Sequence, residues 1–362
     1  MAVNLATKYE KKIAEKFTLN SVVEGYTSGE YNWDGVKGIV VYTPVTQPLN
    51  DYNRSGTNRY GEPQEMQDTT QEMKLRKDRS FSITIDKGNN TEQMMIKEAG
   101  RMLNLEIEEQ VTPEMDMYAL GEFANGAGMV TALSSAPTKN TIVQAVADAM
   151  TALSNAMVPN TNRVLWIGWT MFGLLRLAPE YIENDGLGKT ALQRGSVGSF
   201  MGAEVRPVPD KYLMRGGKKV YFLLAYKRSV LQPKKIRDYF VKTNPPGING
   251  ALLEGRFIYD AFVLGSKAEG VYAAVENGSQ LATPSASYAS KAWTVTATGA
   301  DGFRYTLDGT DPRYSQSAKE AAGASGTISA AGMEGQTITV KIASFAAGAF
   351  TSAVYEDTQE IS

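Results

Sequence analysis

The chain contains no cysteine and no histidine in 362 residues. Without cysteine there is no disulfide, no thiolate nucleophile and no sulfur-ligated metal. Without histidine the commonest general base and metal ligand are missing, and with them any Ser-His-Asp triad. Enzymes without either residue rely on Asp/Glu pairs or lysines, so the composition argues against an enzyme, and no cofactor or metal is expected. No apolar run approaches the roughly 18 residues of a membrane-spanning helix. The opening MAVNLATKYEKKIAEKF is charged, with no continuous apolar stretch behind it, and does not read as a secretory signal. A formal net charge of -2 does not suit a protein whose main task is gripping phosphates.

What is present belongs to a folded chain. Hydrophobic residues make up 43% and charged ones 21%, which excludes wholesale disorder, and the length favours two domains. Up to about Gly38 the chain is polar. Lys8, Lys11, Lys12 and Lys16 share a short amphipathic segment with Ile13 and Phe17 on its other side. Two readings stay open there: a solvated helix docked on the body, or an extended arm docked on a neighbouring subunit. GIVVYT, residues 38–43, is β-branched and aromatic and predicts a strand. Residues 43–80 are a long polar excursion, of the kind that generally marks a binding loop. The bland reading is a surface loop with solvated charges. The sharper one is a projecting two-stranded flap that pairs electrostatically with another copy, through Arg54, Arg59, Glu62, Glu65, Lys74, Arg76, Lys77 and Arg79.

SFSITID, residues 80–86, alternates like a half-buried strand. A long helical stripe follows, in which Leu103, Ile107, Val111, Met115 and Tyr118 recur every three or four residues, with Met95 and Ala99 extending it backwards. Thr112-Pro113 is expected to kink or interrupt it. Glu106, Glu108, Glu109 and Glu114 on the opposite face read as solvated rather than catalytic. A second helix carries Ile142, Ala145, Val146, Ala149, Leu153 and Met157. RVLWIG (163–168) is a short apolar strand, TMFGLLRLA a third helix, and KVYFLLAYKRSV an aromatic strand. Helices and strands interleave without a βαβ rhythm, which predicts an α+β fold. The Gly195 and Gly198 pair lacks a P-loop ending and reads as turns. From Glu276 the composition changes. ENGSQLATPSAS reads as a flexible linker, and the rest alternates in short runs between Gly and Asp-Gly turns, which predicts a small β-sandwich. Within it TLDGTDP holds two turn signals, Asp308-Gly309 and Asp311-Pro312.

Residues 82–120, SITIDKGNNTEQMMIKEAGRMLNLEIEEQVTPEMDMYAL, resemble the strand and long spine helix of tailed-bacteriophage major capsid proteins of the Hong Kong-97-type fold. The order of parts is similar over about residues 1–275. The resemblance implies an N-terminal arm (1–38), an extended loop (43–80), a peripheral domain (81–135 and 246–275) and an axial domain (136–245). A linker (276–290) then leads to a C-terminal module (291–362). GFRYTLDGTDPRYS makes that module look like the immunoglobulin-like, chitobiase-C-terminal-like units at the ends of some bacterial glycosidases. The family implies pentamers and hexamers of one chain, closing into an icosahedral shell around double-stranded DNA. A separate scaffolding protein and a portal protein are the expected partners, with assembly in the bacterial cytoplasm and the virion as the final location. Some members crosslink a loop lysine to an asparagine. Lys74 and Lys77 lie near that region, but nothing in this sequence predicts the chemistry. The module is expected to project outward on its linker, so that truncation near Asn277 leaves shell formation intact. The alternatives are a secreted or cell-surface carbohydrate-binding protein using Trp293, Tyr305 and Tyr314, and an enzyme built on Asp308 and Asp311.

Overall fold

A computed structural model describes residues 20–31, 33, 38–46, 49–55, 57–61, 63, 65–66, 68–92, 98–178 and 198–361. The N-terminal amphipathic segment, Met95, the 183–194 loop, Gly195 and Glu62 lie outside the described residues.

At the centre is a seven-stranded mixed sheet. Its main path runs Met129–Leu133, Val271–Glu276, Lys218–Tyr226, Arg163–Gly168, Ala203–Val208 and Ser199–Phe200, with Met214–Arg215 pairing on Lys218–Tyr226. The two parallel pairings are Met129–Leu133 with Val271–Glu276 and Arg163–Gly168 with Ala203–Val208. RVLWIG is a continuous apolar run because both of its faces are covered. Val164 and Trp166 enter a core shared with Leu120 and Phe123 of one helix. Leu165 and Ile167 enter a second core, shared with Ile142, Val146 and Leu153 of another. Lys218–Tyr226 divides in the same way, with Leu223 and Ala225 on one side and Phe222 and Leu224 on the other. The sheet is therefore the middle layer between Thr112–Asn125 and a pair of helices, Ile142–Asn155 and Trp169–Arg176.

The long helical stripe runs on without a break from residue 99 to 125. Ala99–Glu106 passes through a π turn, Ile107–Val111, into Thr112–Asn125, and Glu106, Ile107, Val111 and Thr112 all keep right-handed helical angles. Pro113 has no N–H to donate, and the hydrogen-bond ladder changes step just before it. The expected interruption is thus a local change of winding rather than an end. This helix lies across a three-stranded antiparallel sheet of Lys234–Thr243, Gly250–Tyr259 and Lys77–Asp86. Leu103 packs with Ile85 and Leu253, and Met115 with Phe257 and Tyr259. Ile107, Val111 and Tyr118, partly buried, fill in between, so the stripe from Leu103 to Tyr118 packs within the chain.

At the C-terminal end two antiparallel sheets share one core. Ser285–Ala289, Ala292–Thr296 and Ser325–Ser329 form the first. Lys319–Ala322, Gly302–Thr306, Thr337–Phe345 and Tyr355–Glu360 form the second. Trp293, Val295, Phe303, Ile328, Val340 and Ile342 fill the space between them. The stretch read as a flexible linker is structured. Ser285–Ala289 is a strand, and Gln280 bridges Phe350, which is buried in the core of the large sheet. Small residues made this segment look slack, but distant backbone partners order it: Leu281 N–H donates to Phe350 O and Phe350 N–H to Ser279 O, each at 3.0 Å.

Candidate assembly interface

The polar excursion is a hairpin arm. Gly38–Pro44 pairs antiparallel with Asp68–Lys74 in unbroken register, from Gly38 opposite Lys74 to Pro44 opposite Asp68. The inner end of the arm is anchored: Met73 and Leu75 are buried with Trp33, Leu231 and Leu264. Gln71 ties it to the body, its Nε2 donating to Val263 O at 2.9 Å while its Oε1 accepts from Gly265 N–H at 2.8 Å. Beyond residue 45 the arm leaves the body. Tyr52 and Tyr60 meet edge to face at 5.1 Å, and Asn53 N–H donates to Arg59 O at 2.9 Å. The outer arm nonetheless exposes large apolar side chains. Leu49 is fully exposed, Tyr60 is 84% exposed, and Tyr42, Tyr52 and Met66 are also open. The charge pattern drew the sequence reading away from them. The signal that was available is a leucine and tyrosines inside an otherwise polar loop.

Of the eight charged residues Glu62 lies outside the described residues, and the other seven fall into two groups. Arg54, Arg59 and Glu65 stand exposed on the outer arm. The four nearer the body contact groups of the chain's body or of the arm itself. Lys74 Nζ lies 2.8 Å from Glu72, Lys77 Nζ sits 4.8 Å over the Tyr118 ring, and Arg79 Nε is 2.9 Å from Glu114. Arg76 reaches the most buried of these partners. Asp260 is fully buried and accepts from Arg76 N–H at 2.9 Å, Arg76 Nε at 3.2 Å, Tyr118 O–H at 2.7 Å and Ala261 N–H at 2.8 Å. Burial, followed by the bond to Asp260, raises the Tyr118 hydroxyl well above its ordinary value, so it stays a donor. One carboxylate thus joins the foot of the arm, the long helix and the strand returning to the large sheet.

A second buried carboxylate holds the chain before the arm. Asp116 accepts from Ser21 Oγ and from Val22 N–H, each at 2.8 Å. Burial raises its carboxyl above the ordinary aspartate range, against the two hydrogen bonds and the charge of Lys234. Val22 O in turn accepts from Trp166 Nε1 at 2.9 Å, and Val23 is buried in the core. Further along this strap, Tyr26 donates to Glu204 at 2.9 Å. Its ring is flanked by Arg206 at 4.4 Å and Lys227 at 4.5 Å, both of which also pair with Glu204.

The TLDGTDP turn faces the arm. Asp308 accepts from Thr310 N–H, Thr310 Oγ1 and Ser317 Oγ at 3.0, 2.5 and 2.6 Å. Burial works against its charge, but these bonds prevail and lower its carboxyl below the usual value. Gly309 takes a left-handed φ of 72° and donates to Thr339 O. Pro312 is buried, and Asp311 accepts from Arg313 N–H at 2.9 Å and from its guanidinium at 2.8 Å. The two carboxylates are occupied by the turn itself. The aromatics named for sugar binding are also occupied. Trp293 is fully buried and donates to Asp357 at 2.7 Å, Tyr305 is half-buried in the module's core, and Tyr314 is packed against the body.

No family model and no curated protein matches this chain. Solved structures do. A protein of Mycobacterium phage Che8 superposes with a TM-score of 0.62 at 14% identity, over 74% of this chain and 96% of its own. One from the capsid of cyanophage P-SCSP1u gives 0.61 at 12%, over 75% and 93%. One from the mature capsid of bacteriophage PhiM1 gives 0.58 at 9%, over 76% and 93%. The fold is that of phage capsid proteins. About three quarters of this chain therefore shares a mixed α+β fold, with few helices and many strands, with phage capsid proteins.

Proposed function

We propose that this chain is the major capsid protein of a tailed bacteriophage, assembling as pentamers and hexamers into an icosahedral shell around double-stranded DNA. The observation that carries the reading is the arm. A hairpin whose strands are tied to its own chain holds out Leu49, Tyr52, Tyr60 and Met66, and exposed apolar side chains grouped in this way mark a contact with another molecule. A second copy of a capsid fold is the natural partner. In this reading residues 1–38 are the N-terminal arm and 43–80 the extended loop. Residues 81–135 and 246–275 form the peripheral domain, and 136–245 the axial domain. Residues 291–362 are an immunoglobulin-like module facing outward. The inner arm charges orient the hairpin on its own subunit, and Arg54 and Glu65 with the apolar tip meet a neighbour. A separate scaffolding protein, a portal protein and packaged DNA complete the partners, and the virion is the location. The role asks nothing of the missing histidine and cysteine.

Negative-stain electron microscopy of the purified protein across a range of salt tests this. Closed shells, tubes or capsomer rings are expected. A monomer or dimer under every condition overturns the reading. No observation favours the carbohydrate-binding alternative, because Trp293 is buried and Tyr305 and Tyr314 pack against hydrophobic cores of the chain.

A further inference from the structure

The acceptors at the end of the long helix have their donors in the C-terminal module. Asn125 Oδ1 accepts from Thr351 N–H at 3.3 Å and from Thr351 Oγ1 at 3.2 Å. Gly126 O accepts from Tyr314 O–H at 2.8 Å, and Ala127 O from Arg313 at 3.3 Å. The last carbonyls of a helix have no partner within it, and a cation beside them is favourable, so Arg313 and Tyr314 serve as its cap. The same loop reaches the arm. Gln316 N–H donates to Thr70 O, in the arm's second strand, at 2.9 Å. Tyr314 lies against Gly265, where an added Cβ would come 2.6 Å from the tyrosine Cβ, and Gly265 N–H is one of the two groups holding Gln71. On the far side Arg215 donates to Ala349 O at 2.5 Å, next to the buried Phe350.

From these contacts we infer that the module is a clamp. Residues 311–316 and 349–351 fix the angle of the arm against the end of the long helix, so that arm and module move together or not at all. The turn motif serves this purpose: Asp308 and Asp311 stiffen the loop that presents Arg313, Tyr314 and Gln316. The expectation of a projecting module on a slack tether is replaced by an integral part of the subunit. The consequence for assembly, that the arm reaches its neighbour at an angle set by the module, rests on the capsid reading. The clamp itself is tested on the unassembled chain, so failure of one is distinguishable from failure of the other.

Hydrogen–deuterium exchange on the full chain provides the test. Gln316→Pro removes the N–H donated to Thr70 O, whereas Gln316→Ala keeps it. Arg313→Met with Tyr314→Phe removes the helix cap at nearly constant volume. Gln316→Pro is expected to speed exchange over residues 68–74 by roughly three- to tenfold, the scale of one net hydrogen bond. The capping pair is expected to speed exchange at 68–74 as well as at 125–128, and Gln316→Ala to stay within about twofold of wild type. Because the capping pair leaves Gln316 untouched, it carries the test even if the proline variant misfolds. Effects confined to each variant's own contact, unchanged exchange at 68–74, or an alanine variant equal to the proline one, each overturn the clamp.

Discussion

Replacing Asp260 by alanine removes the acceptor that joins three segments. Four hydrogen bonds end on this carboxylate, which has no exposed surface. Ala261 is itself buried, so its orphaned N–H costs about 1–3 kcal/mol. Tyr118 is only partly buried and Arg76 is exposed, so their unpaired hydroxyl and N–H add about 1 kcal/mol together. The Arg76 side chain is 61% exposed, so its ion pair contributes less than about 1 kcal/mol after solvent screening. A loss of roughly 2–5 kcal/mol is expected in all. Asp260→Asn keeps an acceptor oxygen but not the charge, and is expected to lose about 1–2 kcal/mol. Asp51→Ala, on the exposed arm, changes stability by less than about 0.5 kcal/mol. Urea unfolding of the unassembled subunit, followed by tryptophan fluorescence, measures all three. A loss below about 1 kcal/mol for Asp260→Ala, or one equal to Asp51→Ala, refutes the view that this carboxylate ties the arm to the helix.

Three further predictions address other parts of the molecule. Because burial raises the Asp116 carboxyl, the folded chain holds that proton more tightly than the unfolded one. The stability difference between wild type and Asp116→Asn therefore falls as pH rises through a window opening at the ordinary value of 3.8 and extending upward, measured by denaturation at several pH values; a rising difference contradicts this. Trp293→Phe loses the bond to Asp357 and part of a filled core, destabilising the module by about 2 kcal/mol in calorimetry; a binding-platform tryptophan would lose sugar affinity with no change in stability. Leu49→Glu with Tyr60→Glu leaves subunit stability within about 0.5 kcal/mol of wild type yet prevents particles from forming, as read by sedimentation; particles of normal size and yield contradict the assigned role of the arm tip.

Much of the body was legible because its signals are local. RVLWIG had only to be apolar on both faces to be a buried strand, and it spans Arg163–Gly168 as expected. The stripe from Leu103 to Tyr118 follows from helical spacing alone, and so did the helix on the other face of the large sheet, Ile142–Asn155, although Met157, expected on its apolar side, lies past its end at a left-handed φ of 57° and is exposed. Where order depends on distant partners, the local pattern was a poor guide. Lys77–Asp86 begins three residues before the alternating run, because cross-strand pairs such as Arg256 with Asp78 stabilise a charged start. Lys234–Thr243 gives little strand signal; it is charged at both ends, leaves Tyr239, Phe240 and Val241 exposed, and is defined by pairing with Gly250–Tyr259. The seating of the module was invisible for the same reason. Arg313, Tyr314 and Phe350 look like surface and sandwich residues until the helix end and the large sheet are in place beside them.

The most direct test of the central claim is electron cryo-microscopy of particles assembled from the wild-type chain. The account predicts a closed shell in which Leu49 and Tyr60 of one subunit are buried against another copy. Particles in which both side chains remain exposed to solvent, or no particles from a folded chain under any condition, would contradict it.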